Sequence, residues 1–600
     1  MRATPRFAHR APVHLMVVAV LVCAGCATVP TGGRVVSGRP AQRAEPIDDP
    51  YVRMIPVAPG KDWAPDRIVE GFLAASAGFD DQHKVAREYL APGVVWQPDP
   101  RPVVTVYDKQ TNVLATSKPD DPSSVVSVRG AQLGRIGSDG QYQADARTLD
   151  QTFRLAKNAQ GQWRISELPE RLTNSLLLST RDVARAFRTR NLYFFAPDAK
   201  VLVPNPVFLP LVIRRDLPAQ IVVAELNGPT AWLSHAVTTW FPTGTRLLGG
   251  VDVTDGIATV NLSREAWRGN QQGMSAQLMW ALKQLSEVKG MRLQIDGKTV
   301  NPGLPDPNQS PSDWARNDPD STAGETFQPV YLRDPEGRVE ELAGNRTSKV
   351  PPLVRIRLFE PAVSLDAHQV AGLTKAHDGV LMGDLTSGPS IQKILNAGQA
   401  GSKFTQPSWD RLGNLWVVET TNDHSWLWIK EPGKAPVRVD HWDLGGSKVL
   451  ALRVARDGVR VAAIVQVDKH AQIRLGRIAG YGTGNLTADN FLPISSDVDA
   501  IDLAWADADE LAVLGRTDQA GQALPYTVPV SGGSSRPIGT GTQGNMRTIT
   551  AAPNSPVLVS GQVTGKDSTA DQVCRLHDPN DLLFSQWDCP IAGADPVYPG

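Results

Sequence analysis

Four cysteines carry the most definite chemistry in this 600-residue chain: Cys23, Cys26, Cys574 and Cys589. Cys26 follows Ala24 and Gly25, residues small enough to enter a peptidase pocket. Its thiolate is a nucleophile that can take a diacylglyceryl group, and the amino group freed by cleavage can be acylated. Upstream, Arg2, Arg6 and Arg10 precede ten apolar residues, Leu15 to Ala24. That run is too short to cross a bilayer as a helix and has the length of an export-signal core. Cys574 and Cys589 lie 15 residues apart near the other end. In an exported chain a disulfide persists, and closing such a loop is worth about 3 kcal/mol. A metal pair is the alternative: His577 is near Cys574, but no fourth ligand stands at zinc spacing.

Other reactive residues do not assemble into a site. Gly539, Gly541 and Gly544 fit G-x-G-x-x-G, but a dinucleotide loop needs a helix after it, and MRTITAAP (546–553) is a strand pattern. Gly297-Lys298-Thr299 imitates the end of a phosphate loop, yet Arg292 stands where its first glycine must be. Outside the export segment the histidines are single: His83, His235, His368, His377, His424, His441, His470 and His577. Neither H-E-x-x-H nor G-x-S-x-G occurs. Asp80-Asp81 and Asp120-Asp121 read as solvated surface, because glycoside hydrolysis needs two carboxylates facing across a bond. Trp426 and Trp428 alternate onto one sheet face and read as core packing, with an anchor for a partner or sugar ring as the alternative. The expectation is a chain that is not an enzyme, with no catalytic residue, no metal and no cofactor. Its net charge is −1, and losing Arg2, Arg6 and Arg10 with the signal makes it −4. That balance excludes nucleic acid as the main partner.

The elements divide the chain into parts. Residues 1–25 are the export signal and 26–50 a flexible tether rich in Gly, Pro and Arg. Residues 51–180 read as an α+β domain. A helix begins at Pro65-Asp66 with Ile68, Phe72, Leu73 and Ala75 on one face, and a second helical piece carries Val85 and Tyr89. Period-two strands follow around Val104, Val126, Phe153 and Trp163. Residues 181–305 read as another α+β domain. Ile221–Leu226 is taken as a buried strand, Val251–Leu262 as a hairpin turned at Asp255-Gly256, and Met274 to Leu285 as a helix. Residues 306–325, rich in Pro, Asp and Ser, read as a linker or exposed loop. In 326–600 short strands recur near Val370, Trp416, Val461, Leu511 and Val557. Spacings of 45–50 residues are those of β-propeller blades, five or six of them.

Several of these segments resemble known modules. Ala24-Gly25-Cys26 resembles the bacterial lipobox, with Cys23 where Leu is usual. Two helices, then a sheet closed by FRLAKNAQGQWRI (153–165), look like the NTF2-like fold. LNGP (226–229), PTGTRL (242–247), DGIATVNLS (255–263), QLMWALKQL (277–285) and LQIDG (293–297) look like the GerMN domain. The fold class is therefore multidomain: an α+β NTF2-like domain, an α+β GerMN domain and an all-β propeller. In this order the parts resemble the actinobacterial LpqB lipoprotein family. The resemblance implies a lipoprotein of the cell membrane, held on its extracytoplasmic face by an N-acyl, S-diacylglyceryl Cys26. It implies a non-enzymatic partner of a sensor histidine kinase, MtrB-like, acting through its extracytoplasmic domain in envelope homeostasis and division. Cell-wall glycan is a further partner to test, as is hydrolysis in the propeller channel.

Overall fold

The computed structural model describes residues 56–600, apart from 80–81, 99, 109–110, 117–120, 212–215, 322–327, 387–390, 496, 518–520, 543, 564–570 and 579. Cys26, the signal and the tether lie outside the described residues, as do Asp80, Asp81 and Asp120.

The first domain opens with α1 (Pro65–Ser76) and the short α2 (Lys84–Arg87). Pro65 presets the first turn, where no amide hydrogen is needed, and Ile68, Val69, Phe72 and Leu73 are buried. The strands are β1 (Val103–Tyr107), β2 (Asn112–Ala115), β3 (Ser123–Ile136), β4 (Tyr142–Lys157), β5 (Trp163–Glu167) and β6 (Ser175–Ser179). They order as β5-β4-β3-β1-β6, with β2 beside β3 and β6 parallel to β1. Phe72 packs edge-on against Trp96 and Phe153, tying α1 to the sheet.

The second domain contains α3 (Thr180–Ala186), β7 (Phe187–Phe195), β8 (Leu202–Pro210), α4 (Leu217–Leu226), β9 (Asp252–Thr254), β10 (Ile257–Leu262), α5 (Gln271–Leu282), β11 (Gly290–Ile295) and β12 (Lys298–Thr299). α5 crosses between the parallel strands β10 and β11, and the turns Asp255-Gly256 and Asp296-Gly297 have positive φ at each central residue. Ile221–Leu226, expected as a strand, is instead helical, the second half of α4. A short apolar run cannot be assigned by periodicity alone; Pro218 in the first turn and Gly228 just past the end are the helix signals that decide it.

The expected linker 306–325 is a correction too. β13 (Asn308–Gln309) pairs with β11, and Trp314 is buried in the core of this domain. Trp280 Nε1 donates to Trp314 O at 3.1 Å and Trp314 Nε1 to Gln309 Oε1 at 3.2 Å. One large aromatic outweighs the polar composition around it.

Among the described residues the remainder forms six four-stranded blades, one of them with a fifth strand at its outer edge and one with its innermost strand split. The sequence repeat marks blades two to six. Blade one escapes it because it is composite: Val330–Arg333, Val339–Ala343 and Arg346–Lys349 accept Ala594–Val597, the C-terminal strand, as their innermost member. Both chain ends of the propeller are thereby locked into one sheet. Gly539 and Gly541 lie between blades, ahead of the strand Gly544–Thr550.

Candidate functional site

The innermost strands are Ala594–Val597, Phe359–Val363, Ser408–Trp409, Lys448–Val454, Asp499–Trp505 and Gly544–Thr550, for blades one to six. Successive ones touch all the way round the axis. Each is irregular: five carry a register shift against the next strand, and in blade three the strand is split before Pro407. In blades one to three the interruption is an X-Pro step, Asp595-Pro596, Glu360-Pro361 and Gln406-Pro407. Proline cannot donate to the ladder, and the residue before it is left free to aim its side chain elsewhere. Glu360 and Asp595 adopt φ of 47° and 50°, a region that L-residues enter at a cost.

These side chains build a closed polar girdle. Asp595 Oδ2 accepts from Arg333 Nε at 2.7 Å and from Glu360 N at 3.4 Å. Gln406 Nε2 donates to Pro361 O at 2.8 Å, while its Oε1 accepts from Arg453. Arg453 also pairs with Asp502 Oδ1 at 3.2 Å, and Asp502 Oδ2 accepts from Ile549 N at 2.9 Å. Thr548 and Ser560 share a hydrogen bond, and Asp595 N donates to Ser560 Oγ at 3.1 Å, which returns to blade one. Every blade contributes.

Within the girdle one group stands apart. Among the described residues the Glu360 carboxyl takes no hydrogen bond, and His377 Nδ1 lies 3.8 Å from it. Burial pushes its pKa up to about 7, helped by Asp595 and Asp502 and opposed by Arg453 and Arg333. Burial also raises Asp502, against the pull of Arg453 and the Ile549 amide. Glycoside hydrolysis uses two working carboxylates. Asp502 and Asp595 are each engaged by an arginine and a backbone amide, which leaves Glu360 alone. Among the described residues no group of three His, Cys, Asp or Glu is placed to hold a metal ion.

The two rims of the propeller differ. The turns from innermost to second strand are capped by aspartates: Asp410 accepts from Leu412 N and Asn414 N, and Asp457 from Val459 N and Arg460 N. The second domain docks on this rim at blades three to five. Arg411 pairs with Asp198 at 2.6 Å, Asn191 donates to Asp509 at 2.6 Å, and Ala508 N donates to Asp320 at 3.1 Å. Trp232 and Leu233 are buried in a cluster with Ile473, Leu475 and Tyr526, and Arg477 donates to the carbonyls of Trp232 and Ser234. The opposite rim exposes Lys375, Asp378, Asp423, His424 and Lys469.

Residues 58–183 match the family described as "Lipoprotein LpqB, N-terminal domain", residues 337–571 "Lipoprotein LpqB beta-propeller domain", and residues 191–301 "Sporulation and spore germination". Lipoprotein LpqB of Thermobifida fusca is 35% identical over 98% of this chain and 99% of its own length. Its namesake in Streptomyces coelicolor is 29% identical over 99% of both. The chain belongs to the LpqB lipoprotein family. Among solved structures, the first GerMN domain of the sporulation protein GerM from Bacillus subtilis is similar at 21% identity. It covers 21% of this chain and 99% of its own, with a TM-score of 0.18.

In this LpqB propeller, Cys574 and Cys589 are bonded to one another across the third and fourth strands of blade six. Trp426 and Trp428 share a face as expected, but that face is only half-buried, and the buried side of their strand is Leu427 and Ile429. Alternation predicts which residues share a face, not which face meets the core. Trp426 is flanked by His424 and by Arg438, 5.3 Å from its ring, and Trp428 Nε1 reaches Glu419 at 3.2 Å. The girdle residues were not foreseen. Their signal was present: an X-Pro dipeptide two or three residues before the end of the innermost strand, repeated in three blades.

Proposed function

We propose that this LpqB chain is a non-enzymatic lipoprotein, anchored outside the cell membrane through lipidated Cys26 and acting as accessory partner of a sensor histidine kinase, MtrB-like, in envelope homeostasis and division. The observation that carries the binding role is the asymmetry of the propeller. The second domain docks on one rim, the other displays charged turns around the girdle, and two of the girdle's three carboxylates, Asp502 and Asp595, are tied to arginines. Among the described residues no helix is long and apolar enough to cross a membrane, and in this reading Cys26 supplies the attachment. Two acyl chains on a diacylglyceryl group give stable anchoring where one gives only marginal binding. The first domain, with two helices packed on a sheet of long strands, is read as NTF2-like.

The partner test is binding of the detergent-solubilised mature chain to the sensor's extracytoplasmic domain. A complex that is lost when Lys375 and Lys469 are reversed to Glu supports the reading. No complex at concentrations on the order of tens of micromolar sinks it. Labelled fatty acid should enter the wild type and disappear in Cys26→Ser; label retained in the mutant places the lipid elsewhere.

A further inference from the structure

In the second domain segment 243–250 is hydrogen-bonded to residues 261–263, which lead directly into segment 264–268. Leu248 N donates to Asn261 O at 2.7 Å, Ser263 N to Arg246 O at 2.8 Å and Arg246 N to Ser263 Oγ at 3.0 Å. Arg246, Arg264 and Arg268 are exposed on these segments, as are Leu248 and Trp267, at 38% and 45%. Glu265 is the single carboxylate in these segments, 3.6 Å from Arg264, so three guanidiniums face one negative charge. Asp296 and Lys298 on the adjoining turn offset one another.

We propose that this patch is a contact surface for an anionic bilayer. Trp267 and Leu248 seat among the headgroups, where an amphipathic ring keeps one edge wet and the other apolar, and the three arginines meet lipid phosphates. The proposal rests on the Cys26 anchor. Thirty residues, 26–55, separate Cys26 from the described body, a length whose random-coil span is about 30 Å. Charge decides against the other exposed apolar pair, Leu583 and Phe584 at 53% and 75% exposure, which stand beside Asp578 and Asp581. An anionic surface attracts the first patch and repels the second. Each cation close to such a surface adds roughly fivefold to local partitioning, so the net charge of the patch supplies about 25-fold.

The test is hydrogen exchange on the lipidated full chain reconstituted into vesicles of phosphatidylcholine, with or without phosphatidylglycerol. Peptides spanning 243–250 and 264–269 should exchange severalfold more slowly when phosphatidylglycerol is present. High salt should abolish the difference, and so should the combined change Arg264→Gln, Trp267→Ala, Arg268→Gln. Unchanged exchange elsewhere in that variant shows that its fold is intact. Equal exchange on both vesicles overturns the proposal. So does protection that is the same on neutral vesicles, which would assign the patch to a protein contact. Flotation of the vesicles reports the Cys26 anchor independently; should it fail, the same exchange measured on chain added to preformed vesicles still decides the patch.

Discussion

Glu225 of the second domain and Asp457 of the propeller are buried carboxyl groups answered in opposite ways. In the second domain Glu225 on α4 is fully buried, with Tyr193 N at 3.0 Å and Gln277 Nε2 at 3.0 Å as its donors. Neither donor carries a charge, and burial raises its pKa to about 8, so at neutral pH it is a protonated acid. In the propeller Asp457 is equally sealed, but Arg460 lies against it, Nε to Oδ2 at 2.6 Å, with both side chains at or below 1% exposure. The difference follows from topology. The core of the second domain is one apolar body crossed by α4 and α5, into which a single polar group must come neutral. In the propeller Asp457 lies in a polar turn between strands, and the same turn supplies its cation three residues on. One solution holds a proton, the other a counter-ion.

The comparison breaks most visibly at the ion pair. Asp457→Ala leaves Arg460 buried without its partner, and removing one member of such a pair costs about 3–5 kcal/mol. Urea unfolding should show that loss; a change under about 1 kcal/mol, the value of an exposed pair, would mean that water reaches Arg460. The next effect is covalent. Replacing Cys574 and Cys589 by Ala should cost about 3 kcal/mol by loop-closure entropy, read as a lowered urea midpoint in oxidising buffer. An unchanged midpoint would show that the blade-one strand Ala594–Val597 already closes the ring by itself.

Much of this architecture was legible in the sequence because repetition and turn chemistry are local. Asp255-Gly256 and Asp296-Gly297 mark their hairpins, and the spacing of Val370, Trp416, Val461, Leu511 and Val557 marks the second strand of blades two to six. What escaped was non-local. The composite first blade needs a strand from the chain's far end, and no period can announce it. Trp314 sits in a stretch whose composition is that of a spacer, and only the three-dimensional hole beside Trp280 makes it core. The girdle mixes both cases: its X-Pro steps are visible, but the bonds from Gln406 to Arg453 and from Arg453 to Asp502 join residues nearly fifty positions apart.

Protonation distinguishes the two solutions through pH. An acid whose folded pKa is raised holds its proton after the unfolded chain has released it, so folding stability falls as pH rises between the two values. For Glu225 that window runs from its ordinary 4.5 to about 8. Stability should decline across it at up to about 1.4 kcal/mol per pH unit, roughly 2 kcal/mol between pH 5 and 7 after allowance for the size of the shift. Glu360 and Asp320 titrate in the same direction, so the informative quantity is the difference between wild type and Glu225→Gln. The variant should be relatively more stable at pH 7.5 than at pH 5, since it has no proton to lose. A parallel pair of curves would show that Glu225 is ionised in the folded chain and that a cation or water reaches it.

The smallest effect lies where the two regions meet. Arg411 donates to Asp198 at 2.6 Å while its Nε holds Asp457 O at 3.1 Å, so one side chain joins the second domain to the sealed turn of blade four. The arginine and hydrogen-bonded Lys200 N keep the Asp198 carboxylate below its usual range against the burial that would raise it. Both partners are partly exposed, and pairs of that kind contribute about 1 kcal/mol or less. Asp198→Asn should therefore barely move global unfolding. Because the Arg411–Asp457 contact survives the change, loosening should be confined to the domain boundary: faster amide exchange at 198–200 and 411–414, with the Arg460 turn unchanged. Faster exchange at 457–460 as well would show that the ion pair in the propeller depends on the domain docked over it, and the two regions would then share one electrostatic unit.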